Sequence, residues 1–568
     1  MLTKLTIRNF KLFESVELEL ADRVVLIGPN NSGKTSALQA LALWDIGVKR
    51  WSEKRGAEDV PSTRPGVTIN RRDLITMPIP AAKLMWRDLR TQASGEGNDR
   101  KTIFIEIIAE GVSEGQEWAS GLEFYYANEE SFYCRTLRMP SGERMSVPKP
   151  AAAVRIAYLP PMSGLSATET RLDEGAIHVR LGEGRSAEVL RNLCYQVWAA
   201  DKGGPGWQEL VDRMKALFGI ELDPPDYVRE RGEIVMSYRS HGGGVKLDIS
   251  AGGRGQQQTL LLLAHMTANP GSVLLLDEPD AHLEILRQRQ IYQVLSDVAQ
   301  RTRSQIIAAS HSEVLLSEAA DRDTVIAFVG KPHRIDDRGS QVLKSLREIG
   351  FEQYFQAEQT GWVLYLEGAT DLAILRAFAE RLDHPAKAAL DRPFVHYVAN
   401  QPRKAEEHFH ALRDAKPDLQ GVAIYDRLDP SPPANPHLMH ATWRKRELEN
   451  YLCRREALLG YARAKGFEQG SLFGEVWEAA MGGAIAEIEA ALAALGRPSP
   501  WGDDIKASDD FLGPLFENFY AKLMLPNLMR KTNFHALAPF VPVEELEGEV
   551  REKLGLIAAM AEGARRSE

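Results

Sequence analysis

Three short stretches of this 568-residue chain set residue types at spacings that could act on a phosphate. The first is Gly28-Pro29-Asn30-Asn31-Ser32-Gly33-Lys34-Thr35, followed by Ser36. Glycines let backbone N–H groups close around phosphate oxygens, and a helix that starts there adds partial positive charge. Lys34 can reach the β- and γ-phosphates, and the Thr35 hydroxyl can ligate Mg²⁺. The second is Ser250-Ala251-Gly252-Gly253-Arg254-Gly255-Gln256, a turn that opens an apolar helix and offers Ser250, Gly252, Gly253 and Gln256 to an anion. The third is Asp277-Glu278, which ends an apolar run. Asp277 would hold the metal, directly or through water, and Glu278 would orient or deprotonate the attacking water. His311 closes the next apolar run and is a candidate γ-phosphate sensor. A glycine turn before a helix is common and a lone histidine is usually structural. Their order behind a P-loop is what gives them weight.

A second set of acids suits other chemistry. Glu367-Gly368-Ala369-Thr370-Asp371 follows the apolar run Trp362 to Leu366, and Asp426 follows Gly421 to Tyr425. Strand–acid, helix, strand–acid puts carboxylates at the carboxyl ends of neighbouring parallel strands. Glu367, Asp371 and Asp426 could then hold Mg²⁺ or Mn²⁺ through oxygen and activate water on a phosphodiester. The alternative for each acid is a helix cap, since carboxylates favour helix starts.

The elements that must carry these residues are legible in the same rows. Residues 3–27 read as two or three strands, the last being the apolar run Val24 to Ile27. Residues 51–100, rich in Arg, Pro and Gly, read as a surface excursion. Alternation returns over 101–138, Val154 to Leu159 is a short strand, and 186–219 repeats apolar residues at helical spacing. Ser272 to Asp277, Gln305 to Ser310 and residues 324–329 complete a set of strands. Beyond residue 454 the pattern is helical, notably Ala480 to Leu495 and Val543 to Met560, and no long heptad array occurs.

A net charge of −10 gives no global nucleic-acid signal, although an acidic chain can still carry a local basic groove. Cys134, Cys194 and Cys453 lie too far apart for a metal knuckle or a disulfide framework, which fits a reducing cytoplasm. No run approaches a membrane span and the start lacks a signal-peptide core. The expectation is a soluble cytoplasmic protein without a membrane partner.

The P-loop, the Ser250–Gln258 segment, the Asp277-Glu278 strand and His311 follow one another in the order of ABC-type ATPases. Leu5-Thr6-Ile7-Arg8-Asn9-Phe10-Lys11 resembles the opening of the RecF, SMC and OLD (overcoming lysogenization defect) branch. The resemblance implies an α/β head with a β-rich N-terminal lobe and a helical insertion. It also implies a homodimer or larger oligomer in which ATP lies between one copy's P-loop and another's Ser250 turn. The signature departs from Ser-Gly-Gly-Gln, Glu284 stands where transporters carry an aspartate, and a Q-loop has no clear position, with Gln92 only a guess. Glu367 to Asp371 with Asp426 resembles a TOPRIM domain. Arg444-Lys445-Arg446-Glu447-Leu448-Glu449-Asn450-Tyr451 resembles a segment of such domains in OLD proteins. That implies Glu449, or Glu447, as a further metal ligand, and Lys531 as a late lysine over the scissile phosphate. As a plain reading, Lys531 is a surface lysine. TOPRIM domains usually carry Asp-x-Asp, whereas here Asp429 is one residue further on, before the proline-rich run Pro430 to Pro436.

The expected layout is an ATPase over 1–345 with insertions near 51–100 and 165–245, a TOPRIM-like α/β domain over 355–460 and a helical region over 461–568. Three functions remain open. One is an ATP-controlled, Mg²⁺- or Mn²⁺-dependent DNA nuclease or nickase of phage defence. Another is an ATPase scaffold whose degenerate TOPRIM holds or recruits a separate effector protein. The third, a RecF-type repair factor, would not need the Glu-Gly-x-x-Asp motif.

Overall fold

The computed structural model describes residues 1–56, 65–70, 74, 77, 79–94, 100–162, 165, 168–240, 244–319, 322–335, 350–470, 473–546 and 548–564. The 345 boundary lies outside the described residues. The chain divides into two compact units, Met1–Leu343 and Lys344–Glu568.

In the first unit, alternating strands build a six-stranded antiparallel sheet in the order Phe13–Glu19, Leu2–Phe10, Ile105–Ser113, Gln116–Asn128, Ser131–Thr136, Val67–Asn70. Runs with continuous apolar centres build most of a second sheet. Its order is Ile156–Leu159, Val273–Asp277, Gln305–Ser310, Arg23–Ile27 and Thr324–Ala327, all parallel, with His333–Arg334 antiparallel at the edge. Every residue of Val273–Asp277 and Gln305–Ser310 is buried, as strands covered on both faces require. Helix Lys34–Arg55 packs into the core that both sheets share, through Leu38, Leu41, Trp44, Val48 and Trp51.

Two expectations change. The stretch 51–100 is not merely a surface excursion: Val67–Asn70 extends the antiparallel sheet, and Met85 and Trp86 are fully buried. Isolated large side chains reach the core there from a polar background that carries no periodicity. The insertion over 165–245 is not wholly helical. Helices Leu190–Asp201 and Pro205–Phe218 are joined by short strands at Ile220–Leu222, Asp226–Val228, Glu233–Val235, Ser237–Ser240 and Leu247–Asp248. This insertion shares one core with helix Arg254–Ala268 through Leu193, Val197, Leu210, Met214, Leu260 and Leu263.

The second unit holds a four-stranded parallel sheet in the order Val395–Tyr397, Trp362–Leu366, Gln420–Tyr425, Leu438–Thr442. Leu364, Leu366, Val422 and Ile424 face one core, whereas Val363, Tyr365, Ala423 and Tyr425 face another built with Phe409 and Leu412. The first of these cores also takes the C-terminal helices Arg455–Gln469, Phe473–Ala494, Gly513–Lys522 and Gly548–Gly563. The helical C-terminal region is therefore continuous with the sheet rather than a body of its own. Among the described residues no helix is long and apolar enough to cross a membrane.

Candidate functional site

The P-loop leaves the carboxyl end of strand Arg23–Ile27 and enters helix Lys34–Arg55. Asn31 and Gly33 both have positive φ, which turns the chain tightly enough to aim successive N–H groups inward. A Cβ on Gly28 would meet the Phe328 carbonyl oxygen at 2.7 Å, so only glycine fits beneath the turn. Asn30, Asn31, Ser32, Gly33, Lys34, Thr35 and Ser36 line a cleft of about 640 Å³ together with Leu12 and Glu278. Lys34 folds back on its own loop, donating to the Gly28 and Pro29 carbonyls at 2.8 and 2.6 Å. Burial pushes its ammonium pKa down. An anion in the cleft would reclaim that charge.

Strand Gln305–Ser310 lies between strands Val273–Asp277 and Arg23–Ile27, so Asp277, His311 and the P-loop emerge on one edge of the sheet. Thr35 Oγ1 donates to Asp277 Oδ1 at 3.1 Å, a hydroxyl and a carboxylate together as Mg²⁺ requires. Tyr158 donates to the other oxygen, Oδ2, at 3.2 Å. Burial raises the Asp277 pKa, and both hydroxyls oppose that. Glu278 follows in the left-handed region, a strained conformation for a non-glycine residue that holds its side chain at the cleft. Its carboxylate stands 3.5 Å from His311 Nδ1. Ser310 braces this edge by donating to buried Asp280 at 2.8 Å.

The Ser250 turn does not line this cleft. Ile249–Ala251 forms a short 3₁₀ turn, and helix Arg254–Ala268 follows with Gly253 as its cap. Gln256 Oε1 accepts the Gly253 N–H at 3.2 Å, so that glutamine serves its own turn. Gln257, which is buried, donates to the carbonyls of Ile249, Ser250 and Gly252. Ser250 and Gly253 remain exposed. Gln92 belongs to a separate two-stranded hairpin, paired with Thr102, and not to the central sheet.

In the second unit, Glu367 and Asp426 leave adjacent parallel strands at the same edge. Asp426 Oδ1 accepts the Leu448 N–H at 3.1 Å, and burial together with neighbouring Glu367 drives its pKa well up. Asp371 accepts the Glu367 N–H at 3.0 Å, and burial, then Glu367, raises its pKa to about 6. It is thus a cap as well as a member of the acid set. Glu449 is buried, and burial, then Glu447 and Asp371, raises its pKa to about 7, with Lys531 pulling the other way. Glu447 is used differently: its carboxylate takes the Ser508 N–H. Asp429 is exposed on the following loop, and among the described residues no hydrogen bond or ion pair joins it to the acids.

Lys531 donates to Ser508 Oγ at 3.1 Å and lies 4.0 Å from Asp509. Lys506, on the same segment and paired with Asp509, feels the charge of Glu447 and Glu367. Neither Lys506 nor Tyr158 stands in a motif; only the fold brings them to the acids. Among the described residues no three His, Cys, Asp or Glu side chains form a ready-made metal cluster.

Residues 1–44 match the family described as "AAA ATPase domain", and residues 192–317 match "AAA domain, putative AbiEii toxin, Type IV TA system". No curated protein matches the chain. Among solved structures, the SMC head domain from Thermotoga maritima is 15% identical, with 59% of this chain and 98% of that one covered at a TM-score of 0.31. An Smc head domain with an extended coiled coil, bound to the C-terminal domain of ScpA and derived from Pyrococcus furiosus, is 13% identical, with 61% and 99% covered at 0.34. The two matched segments contain the P-loop in one case and the Ser250 turn, Asp277-Glu278 and His311 in the other. The first unit is an ATPase of AAA type.

Proposed function

We propose that this chain is an OLD-like protein whose ATPase head controls a metal-dependent, TOPRIM-type DNA nuclease or nickase in antiphage defence. The head works as a pair, with ATP held by Gly28 to Ser36 of one copy and met by Ser250, Gly252 and Gly253 of another. Thr35 and Asp277 would hold Mg²⁺, which would supply positive charge against the phosphates. Glu278 takes the proton of the attacking water, and His311 senses the γ-phosphate beside it. The exclusion of the Ser250 turn from its own cleft favours this shared site.

The observation that carries the nuclease reading is the crowding of Asp371, Asp426 and Glu449 beside Glu367, where burial and neighbouring carboxylates raise the pKa values of those three acids. Four hard oxygen ligands that repel one another suit a divalent cation, Mg²⁺ or Mn²⁺, and the side chains close on it as it binds. Such an ion supplies Lewis-acid activation of water. Lys531 then neutralises the scissile phosphate. The toxin–antitoxin wording of one matched family fits a defence role. Purified protein with Mn²⁺ or Mg²⁺ should nick plasmid DNA, and Glu367→Ala should end nicking while ATP turnover persists. Absence of nicking with either metal sinks the nuclease reading.

A second reading is favoured by Asp429, which stands outside the acid set. In it the second unit binds an effector protein without cutting DNA. It predicts intact ATPase, no cleavage, and co-purification of a specific partner.

A further inference from the structure

Ser250, the hydroxyl proposed above to meet a second copy's ATP, is not free in its own turn. Its Oγ donates to Asp248 Oδ1 at 2.6 Å, and its backbone N–H donates to the same oxygen at 2.8 Å. That oxygen also accepts from Arg191 Nη2 at 2.8 Å. Arg191 is 1% exposed, which is rare for a guanidinium and requires compensation. Glu169, buried as well, lies 3.8 Å from Arg191 Nη1 and accepts the N–H groups of Arg191 and Asn192 at 2.9 and 2.7 Å. Asn192 Nδ2 donates to Glu169 too, at 2.8 Å. Glu169 thus fixes the first turn of helix Leu190–Asp201, the helix fixes Arg191, and Arg191 fixes Asp248.

We propose that Asp248 and Arg191 are positioning residues for Ser250 and tie the helical insertion to the trans half of the ATP site. An aspartate two residues from a phosphate contact would repel the anion if left bare. Arg191 offsets that charge and still leaves Asp248 an acceptor that sets the Ser250 rotamer and backbone. Asp248 itself is exposed at the turn, while its anchors are buried in the insertion core. A shift of helix Leu190–Asp201 would move Ser250 with it, so anything bound to the insertion can tune ATP turnover. This rests on the shared-site reading of the head.

The test uses the full-length protein and steady-state ATP hydrolysis with Mg²⁺. Asp248→Ala should lower kcat by ~10- to 100-fold with little change in the affinity of one copy for ATP. Asp248→Asn, which keeps the acceptor, should recover part of that loss. The decisive readout is mixing. Lys34→Ala removes ATP from one copy but leaves it a sound Ser250 turn. Mixed with Asp248→Ala it should restore hydrolysis, because the Asp248→Ala copy's ATP is then met by an intact turn. Ser250→Ala mixed with Lys34→Ala should restore it in the same way. If Ser250→Ala alone loses turnover and is rescued on mixing while Asp248→Ala hydrolyses normally, the positioning role is wrong and the shared site stands. If Ser250→Ala hydrolyses normally, the shared site is wrong and the positioning role goes with it. Arg191→Lys is a second variant, which keeps the charge and loses the planar fork. A turnover equal to wild type in it removes Arg191 from the proposal.

Discussion

Both candidate sites occupy the carboxyl edge of a parallel sheet, yet their electrostatics are opposite. In the cleft of the first unit each charged group already has a partner. Lys34 sits on two carbonyls, and Asp277 has a hydroxyl on each oxygen. In the second unit the acids crowd one another: Asp371 takes the Glu367 N–H and Asp426 the Leu448 N–H, but burial and the neighbouring Glu367 still drive the Asp426 pKa up. A site that is satisfied before its ligand arrives is preorganised for rapid turnover. A site that is crowded with like charge stores a demand for a cation, and its geometry is set only when that demand is met. The first arrangement suits nucleotide turnover, and in the proposed reading the second awaits a cation.

The largest expected effect separates the two by their acids. Glu278→Gln removes the proposed general base and should cut ATP hydrolysis by ~10²- to 10⁴-fold while ATP stays bound, measured by phosphate release and nucleotide retention. The same variant loaded with ATP should keep the second unit's affinity for Mn²⁺. Unchanged turnover removes Glu278 from its role and with it the contrast between a preorganised and a waiting site.

The next effect tests whether crowding is real. Asp426→Asn removes one of the repelling acids without changing shape. In metal-free buffer it should raise the melting temperature of the second unit by several degrees, about 2–4 °C for each kcal/mol of relief in a domain of this size. Adding Mn²⁺ should stabilise wild type and do little for the variant, because binding to the folded state alone shifts the transition. A wild-type transition that ignores Mn²⁺ dissolves the distinction between the sites.

How each site could be read from sequence follows from the same difference. The P-loop is local: strand, turn and helix are contiguous, so its glycines, Lys34 and Thr35 announce the site. Asp277, Glu278 and His311 were legible because strands with long apolar runs end beside them. The central sheet was visible for that reason too. The acid set is assembled over residues 367 to 449, and its third dimension had no periodic trace. Glu449 and Glu447 differ by two positions, yet one faces the acids and the other holds the Ser508 N–H. Asp429 looked near in sequence, yet it is exposed and among the described residues no hydrogen bond or ion pair joins it to the acids. Tyr158 reaches Asp277 only because strand Ile156–Leu159 pairs with the Asp277 strand. Trp86 was hidden because single aromatic anchors in polar sequence produce no pattern.

Tyr158 allows a smaller test of preorganisation. Tyr158→Phe keeps the ring in its buried place and deletes the hydrogen bond to Asp277 Oδ2. Asp277 should then sample more rotamers, and half-maximal ATPase should need roughly 3- to 10-fold more Mg²⁺, the share of a charge-assisted hydrogen bond that water does not replace. kcat at saturating Mg²⁺ should fall less. An unaltered Mg²⁺ requirement would mean that Thr35 alone orients the carboxylate.

The smallest effect concerns Glu169, a buried acid of the first unit that is satisfied by backbone amides and not by a metal. Burial raises its pKa from 4.5 to about 7, against the pull of the Asn192 and Arg191 amides. Because the folded value lies above the unfolded one, the fold binds more protons than the unfolded chain between about pH 4.5 and 7. Its contribution to stability is therefore present below that window, declines as pH rises through it and levels above it. Glu169→Gln should flatten this part of the melting-temperature profile by a few degrees, at the cost of one amide acceptor at all pH values. Mn²⁺ should leave the Glu169 slope untouched while it stabilises the second unit. A slope that responds to Mn²⁺ in the first unit would mean that buried acids there are as hungry for cations as Asp426, and the contrast between the two sites would fail at its base.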